Sequence, residues 1–168
     1  MFRVFAIATL LFLLISWSNK AEEYASHMGF SNLLVETELG QEMCILMTSD
    51  AHNYATFSLS AMNDKEILIG VTFALLPSSD IFQSLPIVID EKAWVFPQVE
   101  SSPGPGGGLF LAVKLPAFES QHLLNDIYRM NWLSVEDADG EVLARFSLAG
   151  SAKAIRQFNG CRRILGTI

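Results

Sequence analysis

Apolar residues fall on every second position through most of this chain, the period of a strand with one buried face. The clearest case is Tyr54 to Met62, where Ala55, Phe57, Leu59 and Ala61 alternate with Thr56, Ser58 and Ser60. The same period predicts strands over 33–39 and 43–48, the second with Met43, Ile45 and Met47 on one face and Cys44, Leu46 and Thr48 on the other. Glu66 to Leu76 is apolar on both sides, Ile67, Ile69, Val71, Phe73 and Leu75 against Leu68, Ala74 and Leu76, which predicts a central strand covered on both faces. Short strands follow at 85–90 and 93–96, joined around Glu91-Lys92, and Pro97 confines the second to an edge or to its own end. Residues 109–115 gather Leu109, Leu111, Val113 and Leu115 on one side of a further strand.

The period changes to that of a helix between Glu119 and Met130, where Leu123, Ile127 and Met130 form a stripe widened by Leu124 and Tyr128. Alternation returns in Trp132 to Leu148, interrupted by Asp139-Gly140, the dipeptide that suits a two-residue type I′ turn. Gly150 then breaks the strand. Ser151 is placed as N-cap of a short helix carrying Ala154, Ile155 and Phe158, which Gly160 would end just before Cys161. Many short strands with one longer helix and a short C-terminal helix predict a mainly β fold, an antiparallel β-sandwich or partly open barrel with a helix laid across it.

Residues 1–21 break this pattern: Arg3, an apolar run from Val4 to Trp17, then small and polar residues. That is the layout of a secretory signal peptide, and the run is shorter than the roughly 20 residues of a usual membrane span. Cleavage is expected after Ser18 or Ala21; the rival is a retained anchor. The polar stretch 22–31 predicts a linker, and 32–168 a single β-rich domain. Net charge is −7, and a cut after Ala21 removes Arg3 and Lys20, leaving nine basic residues against 18 acidic, or −9. Nucleic acid and anionic membrane surfaces, which select basic clusters, are disfavoured as partners. Two cysteines in an exported chain predict one disulfide, Cys44 to Cys161.

Candidate chemistry is sparse. The loop Ser101 to Gly108, SSPGPGGG, leads into a strand rather than a helix, so it lacks the geometry of a phosphate cradle and predicts a flexible tip. Such a tip, with Pro103, Gly104, Pro105, Gly106, Gly107 and Gly108, is a candidate partner contact together with nearby Trp94 and Phe96. Met43, Cys44, Met47 and His52 are soft ligands, but the strand period turns Cys44 away from both methionines. The three histidines are scattered and form no zinc spacing. Asp90-Glu91 and the acids Glu136, Asp137 and Asp139 lie at turns, which accounts for them. No metal, cofactor or catalytic residue is expected.

The order of these signals is similar to that of the invasion associated locus B family of exported proteobacterial proteins. The matching residues are Cys44-Ile45-Leu46, the segment Leu85-Pro86-Ile87-Val88-Ile89-Asp90, the helix near Leu123 to Met130, and the ending Phe146-Ser147-Leu148-Ala149-Gly150 followed by Ala152 to Phe158. The chain departs from the family where a further close cysteine pair is usual, since Trp94 to Phe110 has none, and in having Ser151 where an aromatic is common. The resemblance implies an exported, β-rich envelope protein without a known active site, connected in some pathogens with host-cell invasion.

The reading is thus a non-catalytic periplasmic or envelope binding protein with a protein partner. Two alternatives stand beside it: an accessory subunit of an inner-membrane complex held by residues 4–17 and facing the periplasm, and a carrier with an apolar pocket lined by Phe57, Ile69, Phe73 and Leu111. The intact mass of the protein from its producing cell is expected to lack the first 18 or 21 residues. It should take up alkyl groups only after reduction; a full-length mass would establish the anchor instead.

Overall fold

The computed structural model describes residues 21–36, 40–50, 52–61, 66–75, 82–104 and 107–166. The apolar run 4–17, the cleavage position after Ser18, and Pro105 and Gly106 of the tip lie outside them. Eleven strands and two helices are described: β1 Ala21–His27, β2 Phe30–Glu36, β3 Glu42–Asp50, β4 Ala55–Ala61, β5 Ile67–Phe73, β6 Ser84–Ile89, β7 Lys92–Pro97, β8 Glu100–Pro103, β9 Leu109–Leu115, α1 Ala117–Arg129, β10 Trp132–Glu136, β11 Val142–Ser147 and α2 Ser151–Ile164. Two antiparallel sheets form a sandwich, one of seven strands in the order β1-β2-β3-β4-β5-β9-β8 and one of four in the order β11-β10-β6-β7.

The alternation read from the sequence decides which side chains meet between the layers. Phe57, Leu59, Ile69, Val71, Leu111 and Val113 of the large sheet join Leu85, Ile87, Leu133, Val135 and Phe146 of the small one in one core. The helices complete that core with Leu123, Leu124 and Ile127 from α1 and Ala154, Ile155 and Phe158 from α2. α2 lies against β1, β2 and β3, and the Cys44–Cys161 disulfide fastens it there across a sequence separation of 117. Closing so long a loop is worth roughly 4–5 kcal/mol in the chain-entropy account. The helices are tied to each other by Ser151 Oγ donating to the Ile127 carbonyl at 2.7 Å and Arg156 Nη1 donating to the Tyr128 hydroxyl at 2.9 Å. Tyr128 therefore sits outside the buried stripe.

Several local expectations are corrected. The stretch 22–31 is not a linker: β1 pairs with β2 through a turn at Met28-Gly29, and the polar composition fits an edge strand as well as a loop. Ser101 to Pro103 belong to β8, an edge strand paired with β9, so the loop predicted at 101–108 shrinks to its tip. The turn at Asp139-Gly140 is not type I′. Only Gly140 has a positive φ, +83°, and the Gly140 amide donates to the Asp137 carbonyl at 3.2 Å, as in a type I turn followed by a left-handed glycine bulge. The Asp137 carboxylate selects this form by accepting the Asp139 and Glu141 amides at 2.9 and 2.8 Å. The register shift that follows turns Val142 out to solvent.

The last helix is also longer than its glycines suggested. Gly150, at φ +87°, is the N-cap, and Ser151 is the first helical residue, its hydroxyl spent on Ile127. Gly160 stays helical at a cost of about 1 kcal/mol relative to alanine, because Cys161 and Arg162 beyond it are both buried and Cys161 is bonded to β3. The chain leaves the helix at Leu165-Gly166 instead.

One carboxylate joins the two sheets, from an interior strand of the large one to the edge strand β11 of the small one. Asp50, at the end of β3, accepts the Arg145 amide of β11 at 3.0 Å, the Asn53 side chain at 2.7 Å and the His52 amide at 2.9 Å. Burial pushes its pKa up, but these hydrogen bonds outweigh burial and hold it below the ordinary carboxylate value. A lowered native pKa adds stability that is complete above the unfolded value of about 3.9 and is lost as pH falls through the native value. Asp50→Asn is expected to lower unfolding stability by about 1–3 kcal/mol at neutral pH and to flatten the acid limb of a stability-against-pH series measured by urea melts.

Candidate functional site

Antiparallel register brings four separate pieces of chain to one end of the seven-stranded sheet. Phe30 pairs with Thr48, Asp50 with Ala55, Ala55 with Phe73, Phe73 with Leu109, and Leu109 with Pro103. The β1–β2 turn, the β3–β4 turn, the exit of β5 and the β8–β9 tip therefore stand side by side. Each carries an exposed apolar group: Met28 is 66% exposed, Tyr54 64% and Leu75 71%, and Pro103 and Gly107 are exposed at the tip. Neighbouring strands lie about 4.8 Å apart, so the row of turns crosses the end of the sheet at intervals of roughly 10 Å.

Hydrogen bonds hold three of these four pieces in place. Met28 and Tyr54 both have φ of +48°, a left-handed conformation rare for residues with a Cβ, and such outliers point toward function. The Tyr54 carbonyl accepts the Ala74 amide at 3.1 Å, which ties the β3–β4 turn to the exit of β5. Beneath it, the Asp50 carboxylate collects the turn amides of His52 and Asn53. In the tip, the Gly104 amide donates to the Gly108 carbonyl at 2.7 Å and the Gly107 amide to the Gly104 carbonyl at 3.2 Å. Gly108 itself is wedged against β5: a Cβ there would lie 2.2 Å from the Phe73 carbonyl oxygen and 2.9 Å from Ala74 Cα. The tip is thus anchored at its base.

The contact residues expected from sequence are not gathered in one place. Pro103, Gly104, Gly107 and Gly108 belong to this end of the large sheet, whereas Trp94 and Phe96 stand on β7 of the small one. Phe96 is 5% exposed and faces the core. Trp94 donates from Nε1 to Asp126 at 3.0 Å, stacks on Phe96 with centroids 6.0 Å apart, and lies under Lys92, which pairs with Asp126 at 2.6 Å. That set links β7 to α1. Met28, Tyr54 and Leu75 were not singled out by pattern. Leu75 was expected to face inward with Phe73, but β5 ends at Phe73 where Gly108 closes against it, and the side chain two residues on is free to turn outward.

The remaining candidates find structural places. Cys44 is bonded to Cys161 and offers no thiolate, and Met43 lies on the opposite face of β3 from it. Phe57, Ile69, Phe73 and Leu111, the proposed lining of a carrier pocket, are at most 3% exposed and are members of the main core. Asp90 accepts the amides of Asn131 and Trp132 at 3.1 and 3.0 Å, which fixes the junction of α1 with β10. A shallow groove of about 360 Å³ crosses the outer face of the small sheet, lined by Val88, Asp90, Trp132, Ser134, Glu136 and Arg145. The Arg145 guanidinium lies 4.6 Å from the centre of the Trp132 ring and fills part of it. Among the described residues no three of His, Cys, Asp and Glu are grouped as metal ligands would be.

No protein-family model and no curated relative matches the chain. The solved structure of invasion associated protein B from Bartonella henselae does resemble it, with a TM-score of 0.56 at 12% sequence identity, over 86% of this chain and 99% of that one. The resemblance read from the sequence therefore holds at the level of the fold, a distant structural relationship. Gly108→Ala, which drives a Cβ into the β5 backbone, is expected to cost about 1–3 kcal/mol, read as a lowered urea midpoint.

Proposed function

We propose that this chain is an exported protein of the cell envelope that acts by binding a protein partner and not by catalysis. The observation that carries the reading is the row of exposed apolar residues, Met28, Tyr54 and Leu75 with Pro103 and Gly107 at the tip, the turns at Tyr54 and at the tip being themselves hydrogen-bonded in place. Exposed apolar side chains on fixed turns bind with little loss of conformational freedom, which is the condition for a compact hot spot. The groups presented there are apolar side chains with the polar residues His52 and Asn53 beside them, suited to recognition. Trp94 and Phe96, engaged with α1 and the core, are left out of the contact.

Export is supported by the leader-like start of the sequence and by the long-range disulfide, which belongs to an oxidising compartment. No described helix is long and apolar enough to cross a membrane. The fold shared with invasion associated protein B favours an envelope role of the same general kind. Crosslinking in the producing cell, followed by recovery of the tagged protein, tests the reading. The double change Tyr54→Ser with Leu75→Ser should reduce the crosslinked partner by about tenfold or more, the equivalent of about 1.4 kcal/mol, while the thermal midpoint stays within the range of ordinary surface changes. Val95→Ser, on the outer face of the other sheet, should leave the partner in place. Equal recovery from all three proteins would overturn the assignment of this end.

A further inference from the structure

The four-stranded sheet ends at β7, which pairs with β6 on one side and has no described strand on the other. Which of its backbone groups face outward follows from the turn before it. Ile89 and Lys92 are partners across the two-residue turn Asp90-Glu91, so they exchange both hydrogen bonds, and so do Ile87 with Trp94 and Leu85 with Phe96. The other side of β6 agrees, since the Asp90 amide donates to the Trp132 carbonyl of β10 at 3.0 Å. The residues of β7 left facing outward are Ala93, Val95 and Pro97. Pro97 carries no N–H and closes the row of donors at its far end. Among the described residues nothing pairs with the amides or carbonyls of Ala93 and Val95, and both residues are exposed, Val95 to 63%.

An open edge is commonly blunted by an outward charge or a bulge. β7 has neither between Ala93 and Phe96: the stretch is uncharged, its register with β6 runs unbroken, and Lys92 beside it is paired with Asp126 at 2.6 Å. Two amides and two carbonyls in this order are their own complement. A second β7 running antiparallel, with the two-fold axis at Trp94, sets Ala93 opposite the second copy's Val95 and Val95 opposite its Ala93, so that four hydrogen bonds form. Trp94 then stands opposite its own copy in a non-hydrogen-bonded pair, with Cα atoms about 4.5 Å apart, where aromatic pairs are favourable. The same register sets Lys92 opposite Phe96 and Glu91 opposite Pro97. No carboxylate opposes a carboxylate along the strand, which matters for a chain of net charge −7.

We infer that two copies of this chain associate edge to edge through β7, joining their four-stranded sheets into one continuous sheet about a two-fold axis at Trp94. A short edge with four hydrogen bonds makes a small interface, so the dimer is a reversible one. Its place on the small sheet separates it from the row of Met28, Tyr54 and Leu75, and it stands or falls without that reading. Salt screens the long-range repulsion between two acidic chains, so the dimer strengthens as ionic strength rises.

Sedimentation equilibrium of the protein purified from its producing cell, over rising concentration, should show a mass moving from one chain toward two, and at lower concentration in high salt. Ala93→Pro removes one outward donor at an edge position that tolerates proline, and it should weaken association by about tenfold or more. Register is read from two single variants, Ala93→Cys and Val95→Cys, under mild oxidation. Hydrogen-bonded partners lie about 5.5 Å apart at Cα, within disulfide reach, while each of these residues is more than about 7 Å from its own copy. The mixture of the two variants should therefore crosslink, and neither should do so alone. A single-chain mass at every concentration and salt would overturn the inference, as would crosslinking of either variant with itself as fast as with the other. If the purified chain stays single and either cysteine links to a different protein in the cell, the edge belongs to that protein and the inference is equally overturned.

Discussion

A seven-stranded sheet is wider than the four-stranded sheet that covers it, and most of the remaining architecture answers that mismatch. The small sheet closes part of the inner face, leaving the strip formed by β1, β2 and β3 to be closed by something else. The second helix, α2, fills that strip and α1 packs beside it, so both contribute to the same core as the strands. A helix that covers only three strands buries a limited area, and the covalent bond from Cys161 to Cys44 supplements that area with a constraint on the unfolded chain. Ser151 and Arg156 then couple the second helix to the first, so that the covering layer behaves as one piece.

Edges are the other demand of a sandwich, and three of the four edge strands show how it is met. β7 ends in Pro97, β8 in Pro103, and β11 gives its Arg145 amide to Asp50 from the facing layer. The Asp50 carboxylate thus satisfies one turn and one strand edge at once. Its position beneath Tyr54 means that the device holding the layers together is also the one that holds up the end of the sheet where exposed apolar residues collect.

The large sheet was legible in the sequence because its alternation is regular: Ala55 to Ala61 and Leu109 to Leu115 face as the period says they must. The disulfide was legible too, as two cysteines leave one pairing. What the residues next to turns would do was not. Asp139-Gly140 satisfies the type I′ preference, but Asp137, two positions earlier, accepts two amides and selects a different turn. Gly160 weakens a helix locally, yet burial of Cys161 and Arg162 overrides it. Leu75 continues an apolar alternation that the backbone has already ended. In each case a contact distant in sequence, or one turn away, decides against the local preference. The exposed rim of Met28, Tyr54 and Leu75 exists only once strand order is known, since nothing in the chain marks residues 28, 54 and 75 as neighbours.

The disulfide sets an order of events as well as a strength. A chain threaded amino end first through a translocation channel would deliver Cys44 well before Cys161, which follows it by 117 residues. Through nearly the whole of that interval β2, β3 and β4 can pair, because their ladders join neighbours in sequence, while the strip beneath them waits for a helix not yet delivered. A partly emerged molecule would therefore hold a formed sheet with one reactive thiol on an uncovered apolar strip, open to the wrong thiol or the wrong chain. Oxidation that waits for Cys161 converts a late-arriving helix into the lock on the first hairpins to form.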